Sequence, residues 1–314
     1  MEKELPEKTN LALAAGFAAV QLFQYFVLPL VLLPHSPWWG LLIAPAALLT
    51  LPMWALMHEA VHGILLHGRA RNDIVGRGLF ILFGSPLFFL RFGHLMHHRF
   101  NRRPVDLDDG CDPAKECGAA RTLGYYFKLF GGTYLQELFI PVLFWLPKRA
   151  VAKALNAFLS SDEASYAQVR EHAEVQLLGD PAALRALRID TAAIALLFVL
   201  AFAAYGAVWW MLASALLLRG FFVSFFDNLY HYGTPTGDRR YALYPATPAW
   251  LQRYLFNFNL HYMHHRYPNV PWHRLPALVA TDGRRPDMGY GEALLRQIRG
   301  PIPLNRLAEA TAPR

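Results

Sequence analysis

HYMHHRYP, residues 261–268, holds His261, His264 and His265 at i, i+3 and i+4. On a helix that spacing projects all three imidazoles from one side. The same pattern recurs upstream in HLMHH, which supplies His94, His97 and His98. HEAVH sets His58 and His62 one helical turn apart, and DNLYH does the same for Asp227 and His231. Nine of the thirteen histidines, with one carboxylate, thus fall in four helix-compatible clusters. A single histidine beside an apolar helix is ordinarily a hydrogen-bonded core residue. Two copies of His-x-x-His-His, with two further i,i+4 pairs at the ends of apolar runs, point to metal instead. The set suits two metal ions with five ligands each. Clustered neutral imidazoles favour first-row transition metals, and the lack of cysteine among them argues for iron or zinc over an iron–sulfur cluster.

Working outward, the chain has 314 residues, 54% hydrophobic and only 17% charged, with a positive mean hydropathy. That is too apolar for an ordinary soluble domain of this length. The net charge of +7 raises nucleic acid as a partner. The placement of the basic residues fits a membrane-facing cytoplasmic surface better, and no nucleic-acid partner is expected. Cys111 and Cys117 share one polar loop, where a disulfide is not expected and both read as ordinary loop residues.

The apolar runs set the architecture. The first residues are polar and charged, without a cleavable signal pattern. Residues 10–33 form an uncharged run long enough to cross a bilayer. Residues 34–39 make a short turn with two tryptophans, and 40–57 form a second run ending at His58. Residues 191–205 and 207–226 form a second hairpin around Gly206, with Arg219 inside its second arm. Arg219 is expected to snorkel to the nearby interface. The run Leu79 to Phe92, interrupted by Gly84 and Pro86, is too short to cross and reads as interfacial or re-entrant. Phe127 to Leu146, broken by Lys128, Gly131, Gly132, Glu137 and Pro141, reads as an amphipathic segment lying on the membrane. Lys and Arg are absent from both inter-helix turns and concentrate in the N-terminus, the central segment 58–190 and the tail 227–314. The positive-inside rule puts all three on the cytoplasmic side of four crossings. Every histidine cluster then falls on that side. The expectation is one all-α integral membrane domain over residues 1–314, with interfacial helices and a histidine-rich cytoplasmic cap.

Quieter features exclude other classes. There is no glycine-rich phosphate loop, no dinucleotide pattern and no nucleophile elbow. The acidic run Asp106, Asp108, Asp109 and Asp112 reads as a solvated loop.

HEAVHG, HLMHH and HYMHHRYP resemble the three histidine boxes of the membrane-bound fatty acid desaturase and hydroxylase superfamily. The likeness runs from Met57 to about Leu275, and RYPNVPWHRLP is similar to the segment after the third box. The resemblance implies a non-haem di-iron centre at the cytosolic end of a four-helix membrane bundle, with an acyl-type substrate entering from the bilayer. It implies metal ligation by His58 and His62, by His94, His97 and His98, and by His261, His264 and His265. His231 resembles the additional histidine after the last crossing. Acyl-CoA desaturases carry an asparagine four residues before that histidine, where this chain has Asp227, expected here as a ligand. Their first box also has four residues between its histidines, against three here. No His-Pro-Gly-Gly haem motif occurs.

Zinc hydrolases use three protein ligands and one open position. Nine histidines and an aspartate fit two redox-active irons and dioxygen instead. The expected function is oxidation of an unactivated C–H bond in a long acyl or lipid substrate, by desaturation or hydroxylation. Oxidative decarboxylation of a fatty acid to a terminal alkene and ketolation or hydroxylation of a carotenoid ring share that chemistry. A non-catalytic metal sensor or transporter predicts ligands near mid-bilayer, where this sequence has none. Electrons are expected from a ferredoxin- or cytochrome-type protein docking on the basic face.

Overall fold

In lipid an apolar run satisfies its backbone only as a helix or within a closed barrel, and here the runs are helices. The computed structural model describes residues 4–114 and 117–307. Glu7–Leu22 (α1) continues as a π-helix through Phe23–Leu32. Thr50–Val61 (α2), Arg69–Phe83 (α3), Leu87–Phe100 (α4), Pro181–Tyr205 (α5) and Trp209–Asn228 (α6) follow, and His261–Arg266 (α7) carries the third box. Among the described residues the strands are two parallel pairs of two residues each.

Glu7–Leu32 and Pro181–Asn228 are long and apolar enough to cross a membrane. Two bent pairs, Pro37–Leu48 with α2 and α3 with α4, qualify when each is taken as one span. At ~1.5 Å per residue the 48-residue stretch measures about 72 Å, over twice the ~30 Å hydrocarbon core. Gly206, at φ +50°, breaks it where the sequence suggests a turn. α5 begins ten residues before the expected start, and its N-terminus explains why. Asp180 accepts hydrogen bonds from the Ala182 and Ala183 amides (2.8 and 3.2 Å), and Pro181 stands at the first helical position. The helix therefore includes Asp190, whose buried carboxylate is held by Arg77 at 2.6 Å.

The Leu79–Phe92 run turns back on itself. α3 and α4 meet at a 98° bend. Gly84 supplies the left-handed residue that ends α3 (φ +102°), and Pro86 precedes the first turn of α4. A bend within an apolar layer leaves helix-terminal carbonyls without partners. Three hydroxyl and guanidinium groups supply them. Tyr25 Oη donates to the Leu82 carbonyl (2.7 Å), Tyr134 Oη to that of Phe83 (2.6 Å), and Arg219 Nη1 to that of Phe83 (2.7 Å). Arg219 also donates to Tyr25 Oη and Gln21 Oε1 and lies over the Phe83 ring. This corrects the snorkelling expectation: Arg219 is 2% exposed and stays inside because those carbonyls need it.

The stretch 127–146 forms three short helical pieces, Lys128–Gly132, Thr133–Phe139 and Ile140–Trp145. It presents Phe127, Phe130, Phe139, Val142 and Trp145 outward. Its inner side packs on α6 through Gly131 (φ +130°), where an added Cβ would stand 3.5 Å from the Gly220 backbone.

Two loop expectations are overturned. Cys111 and Cys117 form a disulfide, with Cα atoms 5.2 Å apart. Pairing of Gly110–Cys111 with Ile302–Pro303 fixes one end of that short loop, and separation in sequence alone does not show this. The acidic run is not simply solvated either. Asp109 is buried against Arg102 at 2.6 Å, and Asp106 bonds to a histidine of the second box.

Candidate metal centre

The geometry of His-x-x-His-His sorts its own side chains. Adjacent residues on a helix differ by ~100° in direction, whereas i and i+4 nearly superpose. In α4, His94 and His98 therefore face one way and His97 another. In α7, His261 and His265 share a direction and His264 departs from it. The structure crosses these over. His58, His62, His94, His98 and His264 form one set, and His97, His231, His261 and His265 form a second. Within each set the ligating nitrogens all lie within 4.8 Å of one another. Each double box thus gives its i,i+4 pair to one set and its middle histidine to the other.

In the first set, His94 Nε2 stands 2.9 Å from the Nε2 atoms of His58, His62 and His98, and His264 Nε2 is 3.0 Å from that of His98. In the second, the Nε2 atoms close a ring: His97–His231 3.2 Å, His231–His261 3.1 Å, His261–His265 3.1 Å and His265–His97 3.3 Å. A ring nitrogen is either donor or acceptor and carries at most one hydrogen. His94 Nε2 faces three others, so hydrogen bonding cannot satisfy that convergence. A shared cation does. The second ring's edges of 3.1–3.3 Å are of a size that an ion with the ~2.0–2.1 Å bonds of metal–imidazole coordination would fill. The donor set fits two transition-metal ions.

The sets hold five and four histidines rather than five ligands each, and Asp227 belongs to neither. Asp227 stands in the last turn of α6, four residues before His231.

Outer contacts fix the boxes against one another. Arg91 of α4 donates to the Ala60 and Val61 carbonyls (2.8 and 3.0 Å), which end α2 beside His62, and pairs with Asp73 at 2.6 Å. The Trp272 amide donates to Glu59 Oε2 and its indole to Asn10 Oδ1, both 3.1 Å. Asp106 accepts from His97 Nδ1 at 2.9 Å. Arg91, Asp106 and Asp109 escape a reading of sequence because their partners lie on other elements. The one local hint is that Asp106 follows His97 by nine residues.

Burial holds the imidazoles of His231, His261, His264 and His265 well below their ordinary value of 6.5, with neighbouring imidazoles adding to it. Neutral imidazole is the ligating form. The sign for stability follows. The unfolded chain takes up protons near pH 6.5 that the folded site resists, so stability is full above that pH and falls as pH drops below it. Metal content and melting temperature should both hold steady on the alkaline side and decline together in acid. Melting scans and metal analysis across a pH series check this, and a site that gains stability on acidification would contradict it.

No individual curated protein matches the chain. The fatty acid desaturase family, however, matches residues 34–293, a stretch that contains all three histidine boxes, His231 and the apolar segments between them. With that match over most of its length, the chain belongs to the fatty acid desaturase family.

Proposed function

We propose that the protein oxidises an unactivated C–H bond of a long acyl or lipid chain with dioxygen, using two irons held by the nine histidines. The observation that carries this reading is the pair of converging Nε2 sets, five and four strong. Iron at such sites supplies dioxygen activation and one-electron chemistry. The chain's own residues do the rest. They hold nine neutral imidazoles in place, present the substrate and keep water out. Asp227 lies at the end of α6, outside both nitrogen sets.

An apolar cavity of about 590 Å³ suits the substrate chain. It lies between α5, α6 and the 127–142 stretch, lined by Phe130, Tyr134, Leu138, Ile194, Phe198 and Leu216. Exposed Phe127, Phe130 and Phe139 at its rim suit entry from the lipid. We further propose four crossings with both sets on the cytoplasmic side, a reading that the distribution of Lys and Arg supports. There Arg99, Arg103, Arg239 and Arg240 line a broad cleft, a surface suited to an acidic electron-transfer protein.

The test joins metal to product. Protein purified in detergent is analysed for iron and zinc, then given a reductant chain, dioxygen and a panel of acyl substrates. Two irons per chain with a product two mass units lighter identifies desaturation, and a gain of sixteen identifies hydroxylation. Zinc without dioxygen consumption would overturn the reading.

A further inference from the structure

The two nitrogen sets differ in what stands behind them. A ligating imidazole that binds through Nε2 carries its proton on Nδ1, and an acceptor there fixes the tautomer and strengthens the donor. In the set of four, the Nδ1 atoms of His231, His261 and His265 are buried with no hydrogen-bond partner among the described residues. His97 alone in that set has an acceptor. Its Nδ1 lies 2.9 and 3.1 Å from the two carboxylate oxygens of Asp106.

The loop that presents Asp106 is built to hold it. α4 ends at Phe100, and two tight turns follow, with Arg103 N bonding to the Phe100 carbonyl and Asp106 N to that of Arg103, both 2.8 Å. Asn101 donates to the Arg239 and Tyr241 carbonyls, both 2.9 Å. Arg102 pairs with Asp109 and donates to the Thr234 carbonyl, while the other Asp109 oxygen accepts from the Gly233 amide at 2.6 Å. Thr234 Oγ1 in turn donates to the His231 carbonyl at 2.8 Å. One rigid loop therefore joins His97 to the segment carrying His231, and both belong to the set of four.

We infer that Asp106 is the positioning residue for one of the two metal positions only, orienting His97 and strengthening it as a donor so that the four-histidine set retains its ion. The inference rests on the dimetal reading above. It makes the two positions unequal: the five-histidine set has a fifth imidazole, and the four-histidine set has Asp106.

The experiment is anaerobic iron(II) uptake against a competing chelator by the full-length protein, with Asp106→Ala, Asp106→Asn and Asp106→Glu. Wild type should take up two irons. Asp106→Ala should weaken one binding step roughly 10–100-fold, the range for loss of an outer-shell partner, and leave the other step unchanged. Asn keeps an acceptor oxygen without the charge, so it should fall between Ala and wild type, and Glu should recover part of the loss. Mössbauer spectra of the iron-loaded variants should show one iron's signal altered and the other's kept. Unchanged binding in every variant overturns the inference alone, as does equal weakening of both steps with a lower melting temperature of the metal-free protein. A wild type that takes up fewer than two irons removes the dimetal reading and the inference with it.

Discussion

Replacing His264 with alanine should strip the five-histidine set of its ion and abolish turnover. His264 is 4% exposed, and its Nε2 stands 3.0 Å from that of His98. It is also the one member of that set supplied by the third box; the other four come from α4 and the end of α2. The variant therefore loses a ligand and the one link that α7 makes to this ion. The rate should fall by more than the ~10–100-fold typical of an outer-shell loss, because a first ligand is removed. Iron should drop from two per chain to about one. Full activity with both irons retained would sink the assignment of this histidine. A chain that stays folded, with α-helical content unchanged, separates loss of metal from loss of fold.

Asp109→Ala should be the most destabilising single change outside the metal ligands. Arg102 and Asp109 are buried together at 2.6 Å, with side chains 2% and 3% exposed. Removing the carboxylate leaves the guanidinium uncompensated and the Gly233 amide without its acceptor. Breaking such a pair from one side costs about 3–5 kcal/mol, although replacing both partners by apolar residues is often close to neutral. The paired variant Arg102→Met/Asp109→Leu should therefore recover much of the loss. Denaturation in detergent reads both. A single variant as stable as wild type would show that water reaches the pair.

What sequence makes legible here is whatever repeats locally. Histidines three and four apart declare a helix and a metal because spacing alone brings them together, and all nine converge as that spacing implies. The crossing of the sets also follows from helix geometry, but only once the facing helix is known. Long apolar runs declare helices suited to a membrane, yet the cap at Asp180 moves one start by ten residues. The failures share a physical origin. Arg219, Asp109 and Cys111 each look exposed when their neighbours in the chain are considered. Each is buried by a partner far along it: Phe83 for Arg219, Thr234 and Gly233 around the Arg102–Asp109 pair, and Pro303 for Cys111. Asp227 is a different case. Its i,i+4 spacing to His231 is right for a ligand, and its carboxylate nonetheless stays outside both nitrogen sets.

The bend between α3 and α4 sets an order on biogenesis. Its open carbonyls are answered by Tyr25, made early, and by Tyr134 and Arg219, made much later. A nascent chain halted before residue 219 lacks the Arg219 donor to the Phe83 carbonyl at that turn. At that stage it already carries His58, His62, His94 and His98, four of the five ligands of one set, but only His97 of the other. The fifth, His264, arrives only with the third box, so neither set is complete until the last third of the chain has been made.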